Sequence, residues 1–480
     1  MNFETVIGLE IHAELNTKSK IFCSCSTRFG ADPNSNTCPI CLGLPGTLPV
    51  LNEEVINLAI KAGIALGCKI NKYNKMDRKN YFYPDLPKAY QTSQYDLPIC
   101  SNGIVEFEYE GKKVTVRLNR IHIEEDAGKL IHSEDEPISL IDYNRVGVPL
   151  IEIVTEPDMR SVGEAVTFMK KLKSILEYGE ISDCKMEQGS LRCDANISIR
   201  PIGQKEYGTK VELKNINSFK ELQKALEKEE KRQLELYQFA EGYKVIQETR
   251  RWDSAKGKTV AMRSKEEAND YRYFREPDLA PIIISDVQIY SIKEHLPEMP
   301  SDKKERFIKE FNLTEKEIDI IIADKHLAGF FEETVLNGSN PKQVSNFILG
   351  DIIRILKERD LEAEGMHISP MDFSSLIKFI EEGKISNTVG KEVLEEMFDT
   401  NKSPKDIIKE KGLSQISSLG ELESLVTTVL LNNPKSVEDF KVGKTQSALF
   451  LMGQVMKLSK GKANPKLAKE MIDKKLAELK

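Results

Sequence analysis

No run of apolar residues in this 480-residue chain approaches the roughly 18 that a membrane span requires. The opening M-N-F-E-T-V lacks the basic and then apolar pattern of a secretory signal, so a cytoplasmic location is expected. There is no G-x-x-x-x-G-K-[ST] phosphate loop and no G-x-G-x-x-G fingerprint, which excludes two common nucleotide-binding loops. Internal repeats and low-complexity tracts are missing too, which argues against a solenoid or a disordered scaffold. Nor does one sign of charge dominate: 69 Lys and Arg face 76 Asp and Glu, and a net charge of -7 does not announce a nucleic-acid partner.

What is present is 40% hydrophobic and 30% charged residues, over a length that accommodates roughly two to four domains. Four of the eight cysteines, Cys23, Cys25, Cys38 and Cys41, fall within 19 residues. C-S-C, twelve residues and then C-P-I-C match a closed, four-thiolate zinc site of the structural kind. In a reducing compartment such a cluster favours a metal over disulfides. The bland alternative is four reduced structural cysteines.

Arg120 to Lys129, R-I-H-I-E-E-D-A-G-K, is the stretch around which the other polar segments group. Arg120, His122 and Glu124 alternate with Ile121 and Ile123, and Glu124, Glu125 and Asp126 then stand in a row. Three adjacent carboxylates repel one another unless cations hold them, so a divalent metal or lysines are expected nearby. Val6 to Leu15 alternates in the same way, with Glu10, His12 and Glu14 on one face. Ile141 to Asp158 turns at Gly147 and continues as an apolar strand in which Glu152 needs a partner. Gly189 to Arg200 sets Arg192, Asp194 and Asn196 on one face, and Thr209 to Asn215 does so with Lys210, Glu212 and Lys214. These runs read as an antiparallel sheet with one apolar face and one charged face.

Helices are expected over Glu53 to Leu66, after the Ser161/Glu164 capping box as far as Gly179, and after Ser218/Glu221 as far as Gly242. Asp77 to Tyr95 interleaves basic residues with tyrosines, offering Lys79 and Lys88 as phosphate contacts, and Met262 to Leu279 crowds Arg, Lys, Tyr and Phe. From about Ile292 strand alternation gives way to helical periodicity, with Pro297 and Pro300 marking a hinge and Asn401 to Pro404 a second boundary. The expected fold is an α+β domain on an antiparallel sheet over 1–293, an all-helical domain over 294–404 and a small helical tail over 405–480. Residues 441–480 hold ten lysines against three acids, a basic end able to meet a polyanion.

Carboxylates, histidine, lysines and arginines on one sheet face, without a phosphate loop, point to magnesium-dependent phosphoryl transfer. Such a site suits activation of a carboxylate, because phosphorylation replaces hydroxide, a very poor leaving group, with phosphate, which departs when an amine attacks the carbonyl.

The motifs V-I-G-L-E-I-H-A-E-L, C-P-I-C-L-G-L-P-G-T-L-P-V, Y-F-Y-P-D-L-P-K-A-Y-Q, H-I-E-E-D-A-G-K, D-Y-N-R-V-G-V-P-L-I-E-I, G-S-L-R-C-D-A-N, V-E-L-K-N-I-N-S-F and M-R-S-K-E-E-A-N-D-Y-R-Y-F span nearly the whole chain. Together they resemble the B-subunit family of bacterial-type aspartyl/glutamyl-tRNA amidotransferases. The resemblance implies a cradle domain with an ATP-dependent kinase site, a helical domain and a tRNA-gripping tail. It implies conversion of Glu-tRNA(Gln) or Asp-tRNA(Asn) to the amidated form in a heterotrimer with an amidase A subunit and a small C subunit.

Carried over by position, Glu10, His12 and Glu125 are magnesium-site residues, with Glu124, Glu152, Asp194 and Glu212 near them. Lys79 faces phosphate or substrate, Arg192, Lys210 and Lys214 are the candidate ATP contacts, and Cys23, Cys25, Cys38 and Cys41 hold structural Zn2+. Ala89 stands where the resemblance implies Gly or Asn, and Arg275 where it implies Pro. No G-x-S-x-G elbow, amidase Ser-Ser-Lys pattern or cysteine glutaminase elbow is present, so ammonia must come from a partner. The competing readings are a non-catalytic zinc-containing tRNA-binding scaffold and the archaeal-type E subunit, whose inserted synthetase-like domain finds no room here.

Overall fold

A computed structural model describes residues 2–133, 136–264, 270–413, 419–441, 446–459 and 463–478. The chain divides into two compact units, Met1–Asp302 and Lys303–Lys480. Strands belong to the first, and the described secondary structure of the second is helical.

In the first unit the alternating segments assemble into a nine-stranded sheet. Its order is Lys258–Ser264, Glu248–Asp253, Val211–Lys214, Leu191–Pro201, Phe3–Glu14, Pro149–Thr155, Lys112–Glu125, Cys100–Tyr109 and Lys69–Ile70. Every ladder is antiparallel except the one joining Val211–Lys214 to Glu248–Asp253. The strands expected from the sequence pair antiparallel, and Glu248–Asp253, which was not among them, adds in parallel because the intervening Phe219–Gln238 helix returns the chain to the same end of the sheet.

Ile7, Leu9, Ile11 and Ala13 point into a core shared with Val55 and Leu58, Phe168 and Leu172, and Leu222 and Leu226. These come from the Glu53–Ala65, Val162–Tyr178 and Phe219–Gln238 helices, which therefore cover one face and leave the other to the polar side chains. Burying each Ile or Leu contributes about 1.5–3 kcal/mol.

Side chains cap all three helices: Asn52 accepts from the Glu54 amide, Ser161 from Glu164 and Ser218 from Glu221. The first ends just before Gly67, which takes φ +64, and the second at Gly179, where a Cβ would come within 2.7 Å of Ile181 Cδ1. The third stops at Gln238, short of the expected Gly242, because Ala240 already turns out of the helix at φ +58.

Asp77–Asn80 pairs with Tyr90–Ser93 and with Phe274–Arg275, so the two aromatic and basic segments read separately in the sequence meet in space. Residues 265–269 of the second segment lie outside the described residues.

In the second unit Asn401, at φ +54, ends the Asn387–Thr400 helix, and Ser403 caps the Pro404–Lys411 helix. That helix packs on Pro370–Glu381 and Asn387–Thr400. A separate apolar cluster runs from Leu422 to Leu476. Of the lysine-rich end, residues 460–462 lie outside the described residues, while Lys466, Lys469 and Lys474 are exposed on the Pro465–Glu478 helix.

Candidate active site

Strand register gathers polar side chains that are far apart in the sequence. His12 stands opposite Glu152 on one neighbour and Arg192 on the other, while Glu152 stands opposite His122. Directly opposed residues share a face. His12 Nε2 lies 3.4 Å from Glu124 Oε1 and 3.3 Å from Glu152 Oε2. His122 Nε2 lies 3.6 Å from Glu124 Oε2 and 3.3 Å from the same Glu152 oxygen. Ser93 Oγ donates to Glu124 at 3.2 Å, and an Arg120 guanidinium nitrogen is 3.9 Å from Glu152.

His122, Glu124 and Glu152 are buried. Burial alone would favour neutral imidazoles, but the two glutamates outweigh it, so His12 is pushed up to about 10 and His122 to about 9. Burial also opposes the carboxylates, yet the two imidazoles hold Glu124 and Glu152 below the usual range. The row therefore balances two positive and two negative charges. A divalent cation could replace two protons there without changing the net charge.

Glu10, His12 and Glu152 present ligand atoms within 4.8 Å of one another, and so do His122, Glu124 and Glu152. Burial and then the charge of Glu152 raise the Glu10 carboxyl. Sequence reasoning passed over His122 as a site residue. It stands two residues before Glu124 on one strand face, and that spacing is the signal that finds it.

The other expected residues distribute around this row. Lys214 lies 2.6 Å from Asp194 and 3.5 Å from Glu212, which also accepts from Thr249 Oγ1 at 2.7 Å. Lys210 is exposed just ahead of that strand, and its charge reaches Glu212. Arg192 donates to Asp126 at 2.7 Å, a carboxylate that Arg145 also approaches at 3.4 Å. Burial works against the Lys79 ammonium, but Glu124 and Glu152 raise it above the ordinary value, and Nζ sits 5.0 Å from the Tyr271 ring centroid.

Glu125 is not brought to its expected partners. Strand parity turns it to the side of Ile121 and Ile123, where its carboxylate pairs with Lys88 and accepts from the Thr92 amide at 2.8 Å. Its grouping with Glu10 and His12 is corrected accordingly. Lys88, taken from the sequence as a phosphate contact, is engaged in that pair.

The sulfurs of Cys23, Cys25, Cys38 and Cys41 lie within 4.8 Å of one another, and all four are free thiols. The Cys23 thiol beside it, then the Cys38 amide and Lys20, hold the Cys41 thiol down to about 5 against the opposing effect of burial. Such a set fits a tetrahedral ion with Zn–S bonds of about 2.3 Å. Gly43, at φ +66, lets this loop reach Lys88, with which a Cβ would collide. The cysteine loop thereby abuts the Lys88–Glu125 pair.

A sheet backed by helices on one face and lined by charged side chains on the other, followed by a helical region, defines the class. The GatB/GatE catalytic domain family matches residues 5–290, and the GatB domain family matches 329–476. The B subunit of the aspartyl/glutamyl-tRNA(Asn/Gln) amidotransferase of Clostridium beijerinckii is 75% identical, over 100% of each chain. The corresponding protein of Clostridium acetobutylicum is 63% identical and that of Thermoanaerobacter pseudethanolicus 56%, each over 100% of both chains. This chain belongs to the GatB family, the B subunits of tRNA-dependent amidotransferases.

Proposed function

We propose that the chain uses ATP to phosphorylate the side-chain carboxylate of glutamate on Glu-tRNA(Gln) or aspartate on Asp-tRNA(Asn), and that ammonia then displaces the phosphate. A carboxylate oxygen attacks the γ-phosphorus and ADP leaves. Ammonia next attacks the acyl carbon, phosphate departs, and a proton is lost to give Gln-tRNA(Gln) or Asn-tRNA(Asn). The observation that carries this reading is the row formed by half-buried His12 with buried His122, Glu124 and Glu152, with Lys79 and Arg120 at its margin.

Glu10, His12, His122, Glu124 and Glu152 are the residues that would hold Mg2+. Bound there, the ion would neutralise charge on the ATP phosphates. Lys79 would stabilise the transferring group, while Lys214 and Arg192 would orient the nucleotide from the flanks of the row. Asp194 and Glu212 keep Lys214 in place. The four cysteines would hold Zn2+ as a structural ion.

The ammonia would come from a glutaminase A subunit, in a cytoplasmic heterotrimer completed by a small C subunit. The tail over 405–480, with Lys466, Lys469 and Lys474 exposed on its last helix, would meet the tRNA backbone.

The test is ADP release by the chain assembled with its A and C partners, with and without Glu-tRNA(Gln), in magnesium. Release stimulated by the misacylated tRNA, and lost in His12→Ala, is the expected result. Bound tRNA with no ADP release would overturn it in favour of a zinc-containing tRNA-binding scaffold.

A further inference from the structure

The pairing of Cys100–Tyr109 with Lys112–Glu125 ends at Cys100 opposite Ile121, so residues 122–125, which carry His122 and Glu124, run past their neighbour on that side. Side chains of the Tyr90–Ser93 strand and of the residue after it fill the gap. Gln94 Oε1 accepts from the Ile99 amide at 3.0 Å and from the Ile123 amide at 3.1 Å, while its Nε2 donates to Asn74 Oδ1 at 2.8 Å. Asn74 in turn donates to the Asn71 carbonyl at 3.2 Å. Ser93 Oγ donates to the Glu124 carboxylate at 3.2 Å, and Gln91 Nε2 to the Glu125 carbonyl at 2.7 Å.

Ser93, Gln94 and Asn74 are buried, so water does not compete for these bonds. Both groups facing Gln94 Oε1 are backbone amides, which only donate, and this fixes the orientation of the side-chain amide. A carboxylate in its place would lack the donor for Asn74, and an asparagine would fall one methylene short. Ile123 lies between His122 and Glu124, so a bond to its amide fixes the backbone from which both side chains project. The Tyr90–Ser93 strand also pairs with Asp77–Asn80, setting Gln91 opposite Lys79. One clamp therefore holds Lys79 and the row in a common frame.

We propose that Gln94 and Ser93 are positioning residues for the row, Gln94 through the Ile123 backbone and Ser93 through the Glu124 carboxylate, and that together they hold its ligand atoms ready for a divalent ion. The proposal rests on the Mg2+ reading above and adds to it two residues that were not site candidates in the sequence. Ligands bind an ion tightly when their own rotamers are fixed from behind by hydrogen bonds, and the clamp supplies such bonds at both a side chain and the main chain.

The experiment titrates Mn2+, a paramagnetic stand-in for Mg2+, into the chain assembled with its A and C partners and reads free ion by electron paramagnetic resonance. The His12→Ala complex serves as the blank for ions bound elsewhere. Gln94→Met, of similar length and without hydrogen-bonding oxygen or nitrogen, leaves both amides unpaired, and Ser93→Ala removes one hydroxyl. Each is expected to weaken Mn2+ binding about 10- to 100-fold, the scale on which groups behind metal ligands act. The kcat of amidation should fall with it, while KM for the tRNA stays near the wild-type value. Gln94→Glu, which keeps an acceptor for both amides, should recover most of the affinity lost in Gln94→Met. Unchanged Mn2+ affinity in Gln94→Met and Ser93→Ala, each shown to be folded by its thermal midpoint, would overturn the positioning role and leave the ATP reading intact. Affinity lost equally in Gln94→Met and Gln94→Glu, with Ser93→Ala unaffected, would overturn it in favour of packing alone. A wild type that binds no more Mn2+ than His12→Ala would overturn the Mg2+ reading and the proposal with it. Should Gln94→Met fail to fold, Ser93→Ala decides the question.

Discussion

Lys20 Nζ lies 3.8 Å from Cys41 Sγ, in an interior where no carboxylate among the described residues pairs with it. Its other partners are the carbonyls of Asn36 at 2.7 Å and Tyr143 at 3.4 Å. A fully buried ammonium needs a counter-charge, and a zinc-bound set of four thiolates carries one. Lys20→Met is expected to weaken zinc binding about 10- to 100-fold, the usual scale for a residue that supports metal ligands. Competition against a chromophoric chelator measures it. Unchanged affinity would make Lys20 a packing residue only.

Burial opposes the Lys79 ammonium, but the charges of Glu124 and Glu152 raise it above the ordinary value. In the mechanism proposed above, removing its charge should act on the step in which charge develops on the transferring phosphoryl group. Lys79→Met is expected to lower kcat about 10²- to 10³-fold, as loss of a preorganised electrostatic donor does. The KM for tRNA should stay near that of the wild type. Steady-state amidation with the assembled complex separates the two effects, and a change in KM alone would move Lys79 out of the transition state.

Ala89 takes φ +62, the left-handed region in which an L side chain is strained. Glycine adopts this region without that strain. Ala89→Gly should remove about 1–2 kcal/mol of it, partly offset by the greater freedom of glycine in the unfolded chain. A net gain of about 0.5–1 kcal/mol is expected. The urea midpoint of the first unit reports it, and a lower midpoint would contradict the argument.

Glu317 accepts from Lys342 Nζ at 2.6 Å, from the Thr314 amide at 3.0 Å and from Thr314 Oγ1 at 2.8 Å. The Lys342 bond, then the Thr314 amide, hold its carboxyl down to about 2. A depressed carboxyl contributes stability that is fully present above its unfolded value of about 4.3 and is lost as pH falls towards 2. Glu317→Gln should therefore lower the thermal midpoint of the helical unit at neutral pH, and the gap from the wild type should close between about pH 4 and pH 2. A gap independent of pH would point to packing instead of charge. Thr314→Ala should cost about 1 kcal/mol through the lost cap.

Much of the fold was legible in the chain. Val6 to Leu15, Gly189 to Arg200 and Thr209 to Asn215 were readable as strands because side chains in a strand alternate strictly. Ser161 and Ser218 announced helices because a hydroxyl at that position satisfies an otherwise unpaired amide. The four cysteines were legible as a group because they fall within 19 residues, and the fold brings their sulfurs within 4.8 Å of one another. The overrun to Gly242 failed for a local reason: helical periodicity continues past Gln238, but the backbone at Ala240 does not.

The site itself was only half written there. Alternation determined that Glu10 and His12 share a face, and that Arg120, His122 and Glu124 share another. It also implied that Glu125 turns away from Glu124, although the two are adjacent and equally acidic. Which faces meet depends on strand order and register, and these are set by pairing between segments far apart in the chain. The sequence by itself determined the chemistry each strand offers and the family to which the chain belongs. Only the tertiary structure decided that His12, His122, Glu124 and Glu152 converge while Glu125 goes to Lys88, because a two-residue period is a local property and a neighbour across a ladder is not.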